Sequence, residues 1–192
     1  MLTELIFLLD RSGSMAGLEN DTIGGFNALV EKQCKLEGET MVTAVLFDDQ
    51  YEVLWEGIDA RTAKLTEKEY FVRGYTALLD AIGKTILDVD RRFSKDSKPD
   101  KVIFVITTDG LENASQEFTY RKIKEMIKRQ EEIHQWEFIF IGANIDVAQE
   151  AYNIGVREDN AYTFEASSTG VEDMYLMVNE EISNRRQSLK DL

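Results

Sequence analysis

The feature that most constrains the fold is a set of continuous apolar runs of strand length, at residues 5–9, 41–47, 102–106 and 138–141, rich in Ile, Val, Leu and Phe. Unbroken apolarity, as opposed to alternation, marks strands covered on both faces, which is the condition of a parallel sheet buried between helices. Between the runs lie stripes of helical period. Ile23, Phe26, Val30 and Cys34 form one, and Leu79, Ile82, Ile86, Val89 and Phe93 a second. Tyr120, Ile123 and Ile127 form a third, and Val171, Met174, Val178 and Ile182 a fourth. A shorter helix is expected over residues 147–153, and a final short strand over 161–164.

One stretch breaks the alternation of strand and helix. In VTAVLFDDQYEVLWEGI two strand-like runs flank Asp48-Asp49-Gln50 and read as a hairpin, so one strand runs antiparallel at a sheet edge. The resulting order predicts a three-layer α/β/α, Rossmann-like open sheet that is otherwise parallel. With 192 residues, one proline and no linker-like tract, the chain reads as a single domain over residues 1–192.

In open sheets of this kind ligands bind at the carboxyl ends of the strands, near the point where strand order reverses. The first strand ends in Asp10-Arg11-Ser12-Gly13-Ser14, and the run at 102–106 leads into Thr107-Thr108-Asp109-Gly110. A third loop, RGYTALLDAI, sets Gly74 and Thr76 just before a striped helix. If the two strands are parallel neighbours, one edge gathers two carboxylates and three hydroxyls. Oxygen donors without histidine or thiolate suit a hard divalent cation such as Mg²⁺ or Mn²⁺ and disfavour zinc or copper. Two carboxylates balance one such ion, and a shell completed by hydroxyls and water leaves a coordination position for another anionic oxygen.

At these residues the chain resembles the von Willebrand factor A-type (vWA) domains, the family that includes integrin I domains. Asp10-x-Ser12-x-Ser14, Thr76 and the T-D-G turn at Asp109 are similar to the five positions of that family's metal-ion-dependent adhesion site, in the family's order. The resemblance implies that Ser12 and Ser14 bind the ion directly, and that Asp10 and Asp109 hold it largely through water. Thr76 binds directly or through water. It further implies a partner protein whose carboxylate completes the shell, and an AAA-type ATPase or a larger assembly as the kind of partner met inside cells. Tyr75 departs from the family, where a second small residue often precedes the threonine. A ring there would narrow the entrance or touch the partner. Met15, next to Ser14, is a partner contact if exposed and core filling if not.

The formal net charge of -14 argues against nucleic acid or an anionic membrane as partner and fits a soluble protein that attracts cations. The opening MLTELIFLLD lacks the basic flank and cleavage site of a leader and is too short to span a bilayer. The single cysteine, Cys34, forms no intrachain disulfide, is consistent with a cytoplasmic location, and lies on an apolar stripe where burial is expected. His134 has no Cys or His near it in sequence and is given no metal or catalytic role. Asp48-Asp49 reads as turn chemistry, and Gly24-Gly25 as close packing of helix on sheet. The acidic and basic residues of REDNAY, KRQEEI and RRQSLKDL read as solvated surface.

The expected function is therefore a metal-dependent protein-protein interaction module and not an enzyme. A Mg²⁺-dependent phosphoryl-transfer or hydrolytic enzyme is the first alternative, although Ser12 stands where a second carboxylate would be wanted. A scaffold whose ion only fastens its loops is the second.

Overall fold

In the computed structural model, which describes residues 1–95 and 98–187, the apolar runs become the inner strands of one six-stranded sheet of order β3-β2-β1-β4-β5-β6. The strands are β1 (Leu2–Asp10), β2 (Glu39–Phe47), β3 (Tyr51–Asp59), β4 (Lys101–Thr108), β5 (Glu137–Gly142) and β6 (Ala161–Thr163). All neighbours pair in parallel except β2 and β3, the expected hairpin, whose outer strand forms an edge. That edge carries register shifts between Val42 and Val45, together with Glu52 and Glu56, features that discourage pairing with another sheet.

Strand period two divides β1 between two cores. Leu5, Phe7 and Leu9 face one layer, packed with Phe26 and Leu29 of α1 (Glu19–Cys34) and Val171, Val178 and Ile182 of α5 (Ser168–Gln187). Ile6 and Leu8 face the other, with Ile82 of α2 (Leu78–Phe93), Ile123 of α3 (Tyr120–His134) and Ala151 of α4 (Val147–Ile154). The chain leaves β1 toward β2 on one side and returns to β4 on the other. Strand order therefore reverses between β1 and β4, and their carboxyl ends lie side by side, with Leu9 opposite Thr107.

Three expectations need correction. Gly25 serves helix-helix contact: a side chain there would strike the ring of Tyr175 on α5, while Gly24 faces open space. Cys34 is only partly buried. Arg186, in the supposedly solvated RRQSLKDL, is 2% exposed and donates Nη1 to the Gln33 carbonyl at 2.9 Å and to its Oε1 at 3.0 Å. It stands one helical step after Val178 and Ile182, on the face that α5 turns to α1. The last five residues of that segment, 188–192, lie outside the described residues.

Candidate metal centre

Beyond Asp10 the backbone leaves the sheet while still anchored to it, because Arg11 N–H donates to the Phe47 carbonyl at 2.8 Å. Asp10 turns back on its own loop. Its Oδ1 accepts Ser12 N–H at 2.7 Å, and its Oδ2 accepts the Thr108 hydroxyl at 2.7 Å and Asp109 N–H at 3.4 Å. A single 3₁₀ turn, Gly13–Met15, then lifts Ser14 beside Ser12, with the two Oγ atoms 3.2 Å apart. The Ser14 hydroxyl donates to Asp109 Oδ1, so the ends of β1 and β4 are joined through the side chains in question.

Thr76 arrives from the loop that follows β3. Gly13 N–H donates to the Gly74 carbonyl at 3.2 Å, and Ala77 N–H donates to the Asp48 carbonyl at 2.9 Å. Gly74 has φ +66°, and a side chain on it would collide with the Asp49 carboxylate, so glycine is required twice over. A Cβ built on Gly110 would lie 3.5 Å from both Ser14 Oγ and Thr76 Oγ1. The missing side chain of Gly110 thus leaves a cradle between these hydroxyls.

The electrostatics of this edge are unbalanced. Asp10, Ser12, Thr76 and Asp109 are almost wholly buried, while Ser14 is exposed and marks the open side. Among the described residues no lysine or arginine pairs with Asp10 or Asp109. Burial raises the Asp109 carboxyl to about 6, with the Asp10 charge adding to the rise and the Ser14 hydrogen bond opposing it. Burial also raises Asp10, against four hydrogen bonds that favour its charged form. Asp109 Oδ2 is buried with no hydrogen-bond partner, an arrangement that costs stability unless a cation or water meets it.

An orphaned carboxylate oxygen, a cradle flanked by two hydroxyls and an all-oxygen donor set fit a divalent cation. Among the described residues no group of three or more His, Cys, Asp or Glu side chains is arranged for a metal, so any ion here depends on hydroxyls as well as carboxylates.

Other expected contacts separate. Tyr75 is 70% exposed beside Thr76, and Leu111, next to Gly110, is 63% exposed. Met15 is 6% exposed and packs in the core with Leu18 and Tyr70, so it is core filling and not a partner contact: the 3₁₀ turn that raises Ser14 points the next residue inward. Asp48 does the turn work expected of it, its Oδ1 accepting Gln50 N–H at 2.7 Å. It is also fully buried and paired with Arg73 Nε at 2.7 Å. Arg11, likewise buried, pairs with Glu52 at 2.8 Å. His134 closes α3 just before β5, at the opposite sheet edge, with Nε2 3.9 Å from Asp90. Tyr70, whose hydroxyl donates to the Asp10 carbonyl at 2.7 Å, escaped the sequence reading because nothing in its loop has a period.

No protein-family model and no curated protein matches the sequence. Solved structures do. Proximal thread matrix protein 1 from the mussel byssus, in a form described as having a zinc-occupied MIDAS motif, aligns over 94% of this chain with a TM-score of 0.67 and 15% identity. The chain spans slightly under half of that protein, 45%. The SpRpn10 VWA domain aligns over 90% of this chain and 93% of its own, with a TM-score of 0.65 and 14% identity. The manganese-loaded Plasmodium vivax TRAP protein aligns over 89% and 70%, with a TM-score of 0.63 and 19% identity. The chain has the von Willebrand factor A fold. Within that vWA fold Asp10, Ser12, Ser14, Thr76 and Asp109 occupy the carboxyl edge at the strand-order reversal, on three loops.

Proposed function

We propose that this vWA-fold chain is a protein-interaction module that grips a partner's carboxylate through a divalent cation, Mg²⁺ or Mn²⁺, held by Asp10, Ser12, Ser14, Thr76 and Asp109. The observation that carries the reading is the pair of buried carboxylates that no lysine or arginine among the described residues meets, one of them with an orphaned oxygen. An ion at this edge supplies positive charge to both carboxylates and a point of attachment for one more anionic oxygen. The chain's own residues do the rest: Thr108 and the Ser12 and Asp109 amides orient Asp10, and Ser14 orients Asp109. The exposed Tyr75 and Leu111 flank the opening and would contact apolar groups beside the partner's carboxylate.

In this reading residues 1–192 act as one module in the cytoplasm, with an AAA-type ATPase or a larger assembly as partner, and not as an enzyme. Among the described residues no helix is long and apolar enough to cross a membrane.

Calorimetric titration of Mg²⁺, Mn²⁺ and Zn²⁺ into metal-free protein and into Asp109→Ala tests the reading. One-to-one binding in the first and none in the second is expected. Absence of binding at millimolar metal overturns it. Turnover of phosphate esters that disappears in Asp10→Ala would favour the enzyme, and stabilisation by metal without capture of any acidic partner would favour the scaffold.

A further inference from the structure

The start of α2 is capped from a distance. Its N-terminal flank, Ala77, makes no side-chain cap of its own. Instead, the loop after β4 supplies one acceptor after another: Glu112 Oε2 takes Leu79 N–H at 3.0 Å and Ser115 Oγ takes Asp80 N–H at 3.0 Å. Asp80 returns the contact, accepting the N–H groups of Gln116, Glu117 and Phe118, each at 2.9 Å. These bonds hold the helix to the loop. They do not reach Thr76.

One residue does. Asn113 Oδ1 accepts Thr76 N–H at 2.9 Å, and Asn113 N–H donates to the Thr76 carbonyl at 3.0 Å, a two-point grip on both polar groups of one peptide unit's residue. Ala114 N–H adds a bond of 3.2 Å to the same carbonyl. Asn113 follows Asp109 and Gly110 on a single short loop, so the grip ties the donor from the α2 loop to the donor from the β4 loop. Without the Asn113 side chain the Thr76 carbonyl keeps the Asn113 and Ala114 amides, but Thr76 N–H loses its acceptor, and the opposite side holds only the neighbouring amides, Ala77 N–H on the Asp48 carbonyl and Tyr75 N–H on Asp49 Oδ1 at 3.3 Å. Asn113 itself is exposed, so its side chain has no packing role to explain its place.

We propose that Asn113 is a positioning residue of the metal centre, setting the Thr76 hydroxyl at its distance from Asp109 through the Asn113 Oδ1 bond to Thr76 N–H. The proposal rests on the metal-binding reading above. Residues that orient metal ligands without touching the ion change affinity about 10- to 100-fold when removed. Asn113→Ala is therefore expected to weaken Mn²⁺ binding about tenfold. Asn113→Leu, of similar volume but without an acceptor, should show the same loss. Asn113→Asp keeps an acceptor oxygen and should return affinity to within about threefold of the parent.

The deciding measurement is calorimetric Mn²⁺ titration of these variants in the parent and in Thr76→Ala, with circular dichroism confirming that each is folded. If Asn113 acts through Thr76, Asn113→Ala costs nothing further in the Thr76→Ala background. Unchanged affinity in Asn113→Ala, or an equal loss with and without the Thr76 hydroxyl, overturns the proposal. A folded parent that binds no Mn²⁺ overturns the metal reading and this proposal together. A parent whose binding is abolished by Asp109→Ala yet unaffected by Asn113→Ala overturns this proposal alone.

Discussion

Glu4 and Lys101 at one edge of the sheet and the Asp10–Asp109 pair at the other treat buried charge in opposite ways. At the amino edge Glu4, 2% exposed, pairs with Arg92 and accepts the Thr43 hydroxyl at 2.6 Å. Lys101, 6% exposed, meets Glu137 at 2.5 Å and the Arg185 carbonyl at 2.6 Å, and Arg185 meets Glu137 at 3.0 Å. At the carboxyl edge Asp10 and Asp109 are buried together and share only hydroxyls and amides. Desolvated charge is costly, and Asp10 and Asp109 differ from Glu4, and from Asp48 at their own edge, in having no described lysine or arginine to offset it, which is what the proposed cation would do. Surface charge, however abundant, carries no such message.

The comparison can be broken from either side. Arg92→Ala strands Glu4 and is expected to cost about 3 kcal/mol in urea unfolding with EDTA present, while Mg²⁺ affinity stays as it was. Asp109→Asn does the reverse: Mg²⁺ affinity falls about 100-fold by calorimetry, yet the metal-free protein melts at the same temperature or higher, because a like charge has gone.

A pH series sharpens the contrast further. The Asp109 carboxyl, at about 6 in the folded protein, binds its proton more tightly there than in the unfolded chain, where the ordinary value is 3.8. Between those values the native state holds more protons, so this group's contribution to metal-free stability is full below about pH 4 and is lost as pH rises through 6. Melting curves in EDTA should show that decline in the parent, a shallower one in Asp109→Asn, and its reversal above pH 6 when Mg²⁺ is added. The smallest effect is expected at the rim. Tyr75→Ala should leave both stability and metal affinity unchanged while weakening capture of an acidic peptide about fivefold, read by titrating the peptide in excess Mg²⁺.

The strands and helices were legible because burial on both faces writes itself as unbroken apolar runs, and helix faces as a period near 3.6. The five oxygen-bearing residues were legible for a related reason: each follows directly on a strand end or precedes a helix start. What escaped is the polar lattice that holds them. Asn113 on Thr76, Tyr70 on the Asp10 carbonyl and the Asp48–Arg73 pair join residues 25 to 60 positions apart through one or two bonds each, with no period to betray them. Met15 was ambiguous because one 3₁₀ turn decides whether it faces in or out. Arg186 misled because its charge spoke for the surface while its place in the α5 stripe spoke for the core.

Asp10 and Asp109 touch across 99 positions of chain. On a ribosome, the first aspartate and both serines emerge well before the second aspartate exists, and no product that stops short of Asp109 can bring all five oxygens together. An ion that needs them all, as proposed, would add its binding energy only once β4 is seated against β1. Cellular metal would then act as an inspector of the β1–β4 junction before any partner is met.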